Sequence, residues 1–113
     1  MDCIFCKIVS GDIPSNKVYE DDKILAFRDL DPKAPEHVLI IPKIHIASLN
    51  EAEESHLELL GYIQVKVKEI AKKLSINETG YRVVANTGDE GGQTVGHLHY
   101  HLLGGRLMQW PPG

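Results

Sequence analysis

The sequence predicts an α+β domain on three observations. One long segment has helical periodicity, several short apolar segments outnumber it, and 113 residues accommodate a single core. A chain this long buries about two-thirds of its unfolded surface, enough for one domain over 1–113 and not for two. No internal repeat or low-complexity tract suggests otherwise.

The elements follow in order. An opening helical turn is broken by Gly11-Asp12-Ile13-Pro14-Ser15. Val18-Tyr19 and residues 23–28 read as two extended pieces around an Asp21-Asp22 turn, a hairpin. Residues 29–36 contain Pro32 and Pro35 and cannot continue a strand, whereas Val38-Leu39-Ile40-Ile41 suits a buried strand that Pro42 stops. Asn50 with Glu53 resembles a capping box, and Leu57, Leu60, Ile63, Val67, Ile70 and Leu74 then recur at helical steps. Gly80 follows that helix, residues 81–86 read as a strand with a buried middle, and residues 97–103 form a last strand closed by Gly104-Gly105.

Charge and hydropathy remove whole classes of function. The formal charge is −4, with acidic residues spread along the chain, which argues against neutralising nucleic-acid phosphates, so any phosphate must be bound locally. No run approaches the roughly 18 apolar residues of a membrane span, and the first residues carry no basic-then-apolar signal, so the expected location is the cytoplasm. Cys3 and Cys6 are too close to close a useful loop and would stay thiols in a reducing compartment. Their two-residue gap also suits half of a zinc site, with His45 and His97 as further ligands; inert buried thiols and redox chemistry are the alternatives.

Three of the six histidines, His97, His99 and His101, alternate within five residues. In extended chain they share one face, while Leu98, Tyr100 and Leu102 face the core. Near neutral pH an imidazole can attack phosphorus, donate a proton or bind a metal. Two readings stand on the residues alone: a metal site completed by His45 or a carboxylate, or covalent catalysis with His99 as nucleophile. The loop at 87–96 is longer than a hairpin needs, and its Gly88, Gly91, Gly92, Gln93 and Thr94 bring backbone and side-chain donors to the strand. Charge growing on a phosphoryl oxygen needs such donors and a structural metal does not, so the loop favours catalysis.

The run His97-Leu98-His99-Tyr100-His101-Leu102-Leu103 resembles the histidine-triad motif. Ile4-Phe5-Cys6-Lys7-Ile8, Gly11-Asp12-Ile13-Pro14, Ala26-Phe27 with Asp29, Ile41-Pro42-Lys43 with His45, and Asn86 with Gly92-Gln93-Thr94 resemble segments of that family in the same order. The ending Gly104-Gly105-Arg106, Met108 and Trp110-Pro111-Pro112-Gly113 is similar to its nucleotide-binding (Hint) branch.

The resemblance implies an antiparallel sheet of about five strands packed with one long helix and a short N-terminal helix, joined in a two-fold homodimer whose tail, with Trp110, reaches toward the partner's site. It implies hydrolysis of purine nucleoside 5′-phosphoramidates, of the adenosine monophosphoramidate type, through a nucleotidyl-histidine. By similarity His99 attacks the α-phosphorus, and the carbonyl beside it or His101 orients it. His97 and Thr94 lie near the leaving group and phosphate oxygens, Gln93 and Gly92 near the phosphate, and Asn86 near the sugar-phosphate. Asp29 holds the ribose hydroxyls, and Ile4, Phe5, Ile8, Phe27 and Leu30 form the slot for the base. No cofactor is required for this chemistry. Some bacterial members carry zinc on the set Cys3, Cys6, His45 and His97, and zinc bound there would take His97 out of proton transfer. Two other functions are compatible: hydrolysis of dinucleoside polyphosphates as in the Fhit-type branch, which the Trp-Pro-Pro-Gly ending disfavours, and a nucleotide-binding regulatory module with incidental catalysis. Leu107 and Gln109 depart from the glutamine and histidine usual in the tail, and Thr94 from the usual serine, which leaves leaving-group preference open.

Overall fold

The computed structural model describes residues 3–113. Helix α1 (Ile4–Ser10) is followed by β1 (Lys17–Glu20), β2 (Ile24–Arg28) and β3 (Glu36–Pro42). The long helix α2 (Leu57–Lys73), then β4 (Tyr81–Val84), the single turn α3 (Gly88–Gly91) and β5 (Tyr100–Gly104) complete the chain. All neighbouring strands pair antiparallel in the order β1-β2-β3-β5-β4, as expected for the sheet and its long helix.

Both faces of this sheet are covered. Ile24, Ala26, Val38 and Ile40 pack with Ile63, Val67 and Ile70 of α2, while the alternate residues Leu25, Phe27, Leu39 and Ile41 pack with Phe5 and Ile8 of α1. Burial on two sides is why β2 and β3 read as continuous apolar runs rather than as alternating ones. Fully burying one such side chain contributes roughly 1.5–3 kcal/mol, so α2 is held chiefly by its apolar face. Among the described residues, no helix is long and apolar enough to cross a membrane.

Three sequence expectations change in detail. Asn50 and Glu53 do not form a capping box. Ser48 instead caps a single turn at Leu49–Glu51, and Glu53 pairs reciprocally with His56 around the next turn, Glu54–His56. Strand β4 ends at Val84 rather than at residue 86. The histidine strand begins at Tyr100 rather than at residue 97. The register that pairs Ile40 with Tyr100 would carry Leu98 opposite Pro42, which has no N–H to continue the ladder. The Leu98 N–H instead donates to the Ile46 carbonyl at 2.6 Å.

At the hairpin, the Asp21 carboxylate accepts from the Lys23 and Ile24 N–H groups at 2.8 and 2.9 Å, from the Tyr19 hydroxyl at 2.8 Å, and from the Tyr62 hydroxyl of α2. Partial burial opposes its charge, but these four donors prevail and hold its pKa down to about 2. A carboxyl with a depressed folded pKa contributes stability above its unfolded value, near 3.9, which is lost as pH falls towards about 2. Asp21→Asn is expected to lower stability at neutral pH by about 2 kcal/mol and to flatten the acid limb of unfolding between about pH 4 and 2. Urea denaturation of both proteins across that range checks it.

Candidate active site

Helix α1 brings two cysteines to the histidine row. The Cys3 sulfur caps the helix by accepting from the Cys6 N–H at 3.3 Å, and Gly11, at φ +88°, ends the helix in a left-handed conformation that suits glycine. The Cys3 sulfur lies 3.3 Å from His97 Nδ1, and the Cys6 sulfur 3.4 Å from His45 Nδ1 and 3.6 Å from His97 Nδ1. One ligand atom from each of the four residues falls within 4.8 Å of all the others.

The chemistry of the donor set fits a tetrahedral zinc ion. His97 Nε2 is 2.9 Å from the Pro42 carbonyl, which can only accept, so Nε2 carries the proton and Nδ1 turns a lone pair toward the sulfurs. Burial lowers the pKa of His97 and keeps the ring neutral, as ligation requires. Burial also pushes the Cys6 thiol up, and a cation would reverse that. Zinc would tie α1 to the loop carrying His45 and to the approach to β5.

The same carbonyl argument fixes His99. Its Nδ1 is 2.7 Å from the His97 carbonyl and must carry a proton, so in the neutral ring the lone pair is on Nε2. Phe5 packs edge-on against the ring, with centroids 5.2 Å apart. His97 and His99 are both buried, so the histidine row is covered by α1 rather than exposed.

His101 is set by a residue not among those picked out in the sequence. The Lys33 N–H donates to His37 Nδ1 at 3.0 Å, so neutral His37 holds its proton on Nε2, 2.9 Å from His101 Nδ1. His101 must accept there and carry its own proton on Nε2. Burial, reinforced by the neighbouring imidazoles, drives the His101 pKa down to about 4, and burial lowers that of His37 against the pull of Asp29. Asp29, His37 and His101 also lie close enough to hold an ion. A metal on His37 Nε2 would, however, require a proton on Nδ1, where the Lys33 N–H already points, so the protonation pattern excludes that site.

A cavity of about 270 Å³ opens in front of His99 and His101. It is lined by Ile4, Phe5, Ile8, Phe27, Asp29, Leu30 and Thr94, all singled out in the sequence, and by Ile13, Ser15, Asn16, Arg28, Leu39 and Val95, which were not. Leu30 is fully exposed at its mouth. An adjoining space of about 500 Å³ shares Asp29, Thr94 and His101 and adds Asn86, Gly92, Lys33 and His37. A larger space, about 690 Å³, between residues 75–82 and 105–108 contains none of the candidate residues and no histidine.

Two candidates stand apart from the cavity. His97 lies behind His99 and lines neither space. Gln93 spends its amide on backbone groups, donating to the Ala47 and Val95 carbonyls at 2.8 and 3.0 Å and accepting from the Gly88 N–H at 3.1 Å. Asp29 serves both as turn former and as cavity wall, since one carboxylate oxygen accepts from the Asp31 N–H at 2.8 Å and the other lies 3.5 Å from His37 Nε2. The signal for His37 was a histidine entering an otherwise apolar strand, two residues before Leu39, which pairs with His101.

Known proteins resemble this chain. A 14 kDa zinc-binding protein of Zea mays is 55% identical over 112 residues, covering 97% of this chain and 87% of the relative. A protein of Arabidopsis thaliana named adenylylsulfatase HINT1 is 50% identical over 112 residues, covering 97% of this chain and 76% of the relative. The crystal structure of a HIT family hydrolase from Legionella pneumophila superposes with a TM-score of 0.97 at 53% identity, covering 99% of this chain and all of that one. The HIT domain family model matches residues 10–108. With its fold, its histidine row and these relatives in agreement, the chain belongs to the HIT domain family.

Proposed function

We propose that this protein hydrolyses purine nucleoside 5′-phosphoramidates through a covalent nucleotidyl intermediate on His99. The observation that carries the reading is the 2.7 Å bond from His99 Nδ1–H to the His97 carbonyl, which in the neutral ring puts the lone pair on Nε2, in a residue that lines the cavity. The base lies in the apolar slot between α1 and Phe27, with Leu30 at the mouth, and the ribose hydroxyls meet the Asp29 carboxylate. The phosphate faces Thr94, Gly92 and Asn86.

In the first step His99 Nε2 forms a bond to the α-phosphorus while the P–N bond breaks, and the departing amine takes a proton. That proton comes from water, which the neutral His101 Nε2–H and the Thr94 hydroxyl can orient by hydrogen bonding; His97, engaged by Pro42 and the thiols, is a positioning residue. Water then attacks the same phosphorus, releasing the nucleoside monophosphate and restoring His99. A relative named adenylylsulfatase supports attack at an adenylyl phosphorus with a different leaving group, so the amine is the specific part of this proposal.

Zinc on Cys3, Cys6, His45 and His97 is part of the same reading; when bound it is structural and takes no part in bond breaking. The homodimer is supported by β4 lying at the sheet edge and by Trp110, 81% exposed, in the tail.

His99→Ala is expected to reduce phosphoramidate turnover by at least about a thousandfold while nucleoside monophosphate still binds; unchanged turnover would sink the assignment. Protein purified without chelators should contain close to one zinc per chain, and less than about a tenth of an equivalent would remove the metal site. Sedimentation at micromolar concentration should give a dimer; only monomer would refute it. A histidine with a depressed folded pKa binds fewer protons folded than unfolded, so its contribution is complete above about 6.5 and falls as pH drops towards about 4. Wild type should therefore lose melting temperature more steeply than His101→Asn between those values, and parallel curves would contradict the His37–His101 arrangement.

A further inference from the structure

Among the slot's polar side chains to which the mechanism gives no role, Ser15, Asn16 and Arg28, Ser15 is set apart by a buried hydroxyl. Ser15, between α1 and β1, lines the slot beside Phe5, Ile8, Asn16 and Phe27. Its hydroxyl oxygen is buried and has no hydrogen-bond partner among the described residues. Leaving a buried hydroxyl unsatisfied is costly, and native structures keep few of them.

The surrounding backbone is fixed without help from that side chain. The Arg28 N–H donates to the Asn16 carbonyl at 2.9 Å, and Lys17 pairs with Phe27. Rotation about the Ser15 Cα–Cβ bond moves the hydroxyl among its staggered positions and leaves the chain where it is. The faces of the slot are apolar, Arg28 is paired with Glu36 at 2.8 Å, Asn16 is exposed, and the proposed function commits Thr94, Asp29, His99 and His101 to ribose and phosphate.

We infer that Ser15 is a specificity-determining residue that bonds the polar edge of the six-membered ring of a bound purine. The inference rests on the reading of the slot as the base site. A purine is apolar on its faces and polar along its edge, so Phe5, Ile8 and Phe27 match the faces and leave the edge to be satisfied. A hydroxyl both donates and accepts, and so can meet either a ring nitrogen or an exocyclic group. A site that hydrogen-bonds its ligand discriminates far better against an analogue lacking the partner than an apolar pocket does.

Calorimetry on the full chain tests this with adenosine 5′-monophosphate and benzimidazole riboside 5′-monophosphate, whose bicyclic outline is similar but whose six-membered ring has no nitrogen or amine. Wild type should prefer the adenosine ligand by about tenfold or more, and Ser15→Ala should weaken it by about five- to twentyfold while shifting the benzimidazole ligand by no more than about twofold. Equal weakening of both, or of neither, overturns the assignment. Ser15→Ala loses an unpaired hydroxyl and should melt no lower than wild type, and Ser15→Cys, similar in shape but a weak donor, should bind as Ser15→Ala does. If wild type binds neither ligand, the base slot falls together with Ser15. If it binds both as expected but turns over no phosphoramidate, only the hydrolase reading falls.

Discussion

His97 is fastened at three points. Its Nε2–H reaches the Pro42 carbonyl, its Nδ1 faces two thiols, and its own backbone carbonyl receives the Nδ1–H of His99. The ring is fully buried, so none of these groups can turn to water if its partner is lost. Each fixes the next. Because Pro42 can only accept, the thiol-facing nitrogen of neutral His97 is bare, and because the His97 carbonyl can only accept, the bare nitrogen of a neutral His99 is Nε2. The tautomers of His97 and of His99, the proposed nucleophile, are thus written into the backbone of β3 and of the segment that enters β5. A shifting ion pair does not enter into it.

The fold was legible wherever one residue pattern had one physical meaning. Ile63, Val67 and Ile70 recur at helical spacing and do face the core, and the continuous run from Val38 to Ile41 is buried on both sides. Boundaries were less legible, because they depend on partners distant in the chain. The histidine segment enters the ladder only at Tyr100, since Pro42 across the sheet offers no N–H, and nothing local to the histidines announces that. The helix approach was misread because Asn50 and Glu53 carry the capping letters, while Ser48 and His56 make the contacts.

The candidate site divides along the same line. Alternation placed Leu98, Tyr100 and Leu102 in the core, and the spacing of Cys3 and Cys6 anticipated their meeting with His45 and His97. His37 escaped notice because its importance lies in a cross-strand relation to His101 that sequence distance conceals. Gln93, read as a ligand donor, has its amide fully occupied by backbone groups, a fact that only the folded loop reveals. Ser15 lay within a recognised turn but carried no pattern of its own, and its burial beside the slot follows from how α1 returns to the sheet.

The hydrogen-bond chain behind His101 begins at an ordinary peptide group, the N–H of Lys33. That N–H can donate only while His37 keeps a bare Nδ1, and His37 keeps it only while its other nitrogen serves His101. An added proton on either ring sets two N–H groups against each other and releases the Lys33 amide to solvent. The exchange rate of a single backbone hydrogen in an exposed turn is therefore a gauge of the charge state inside the cavity, readable without substrate and without touching any side chain that lines it.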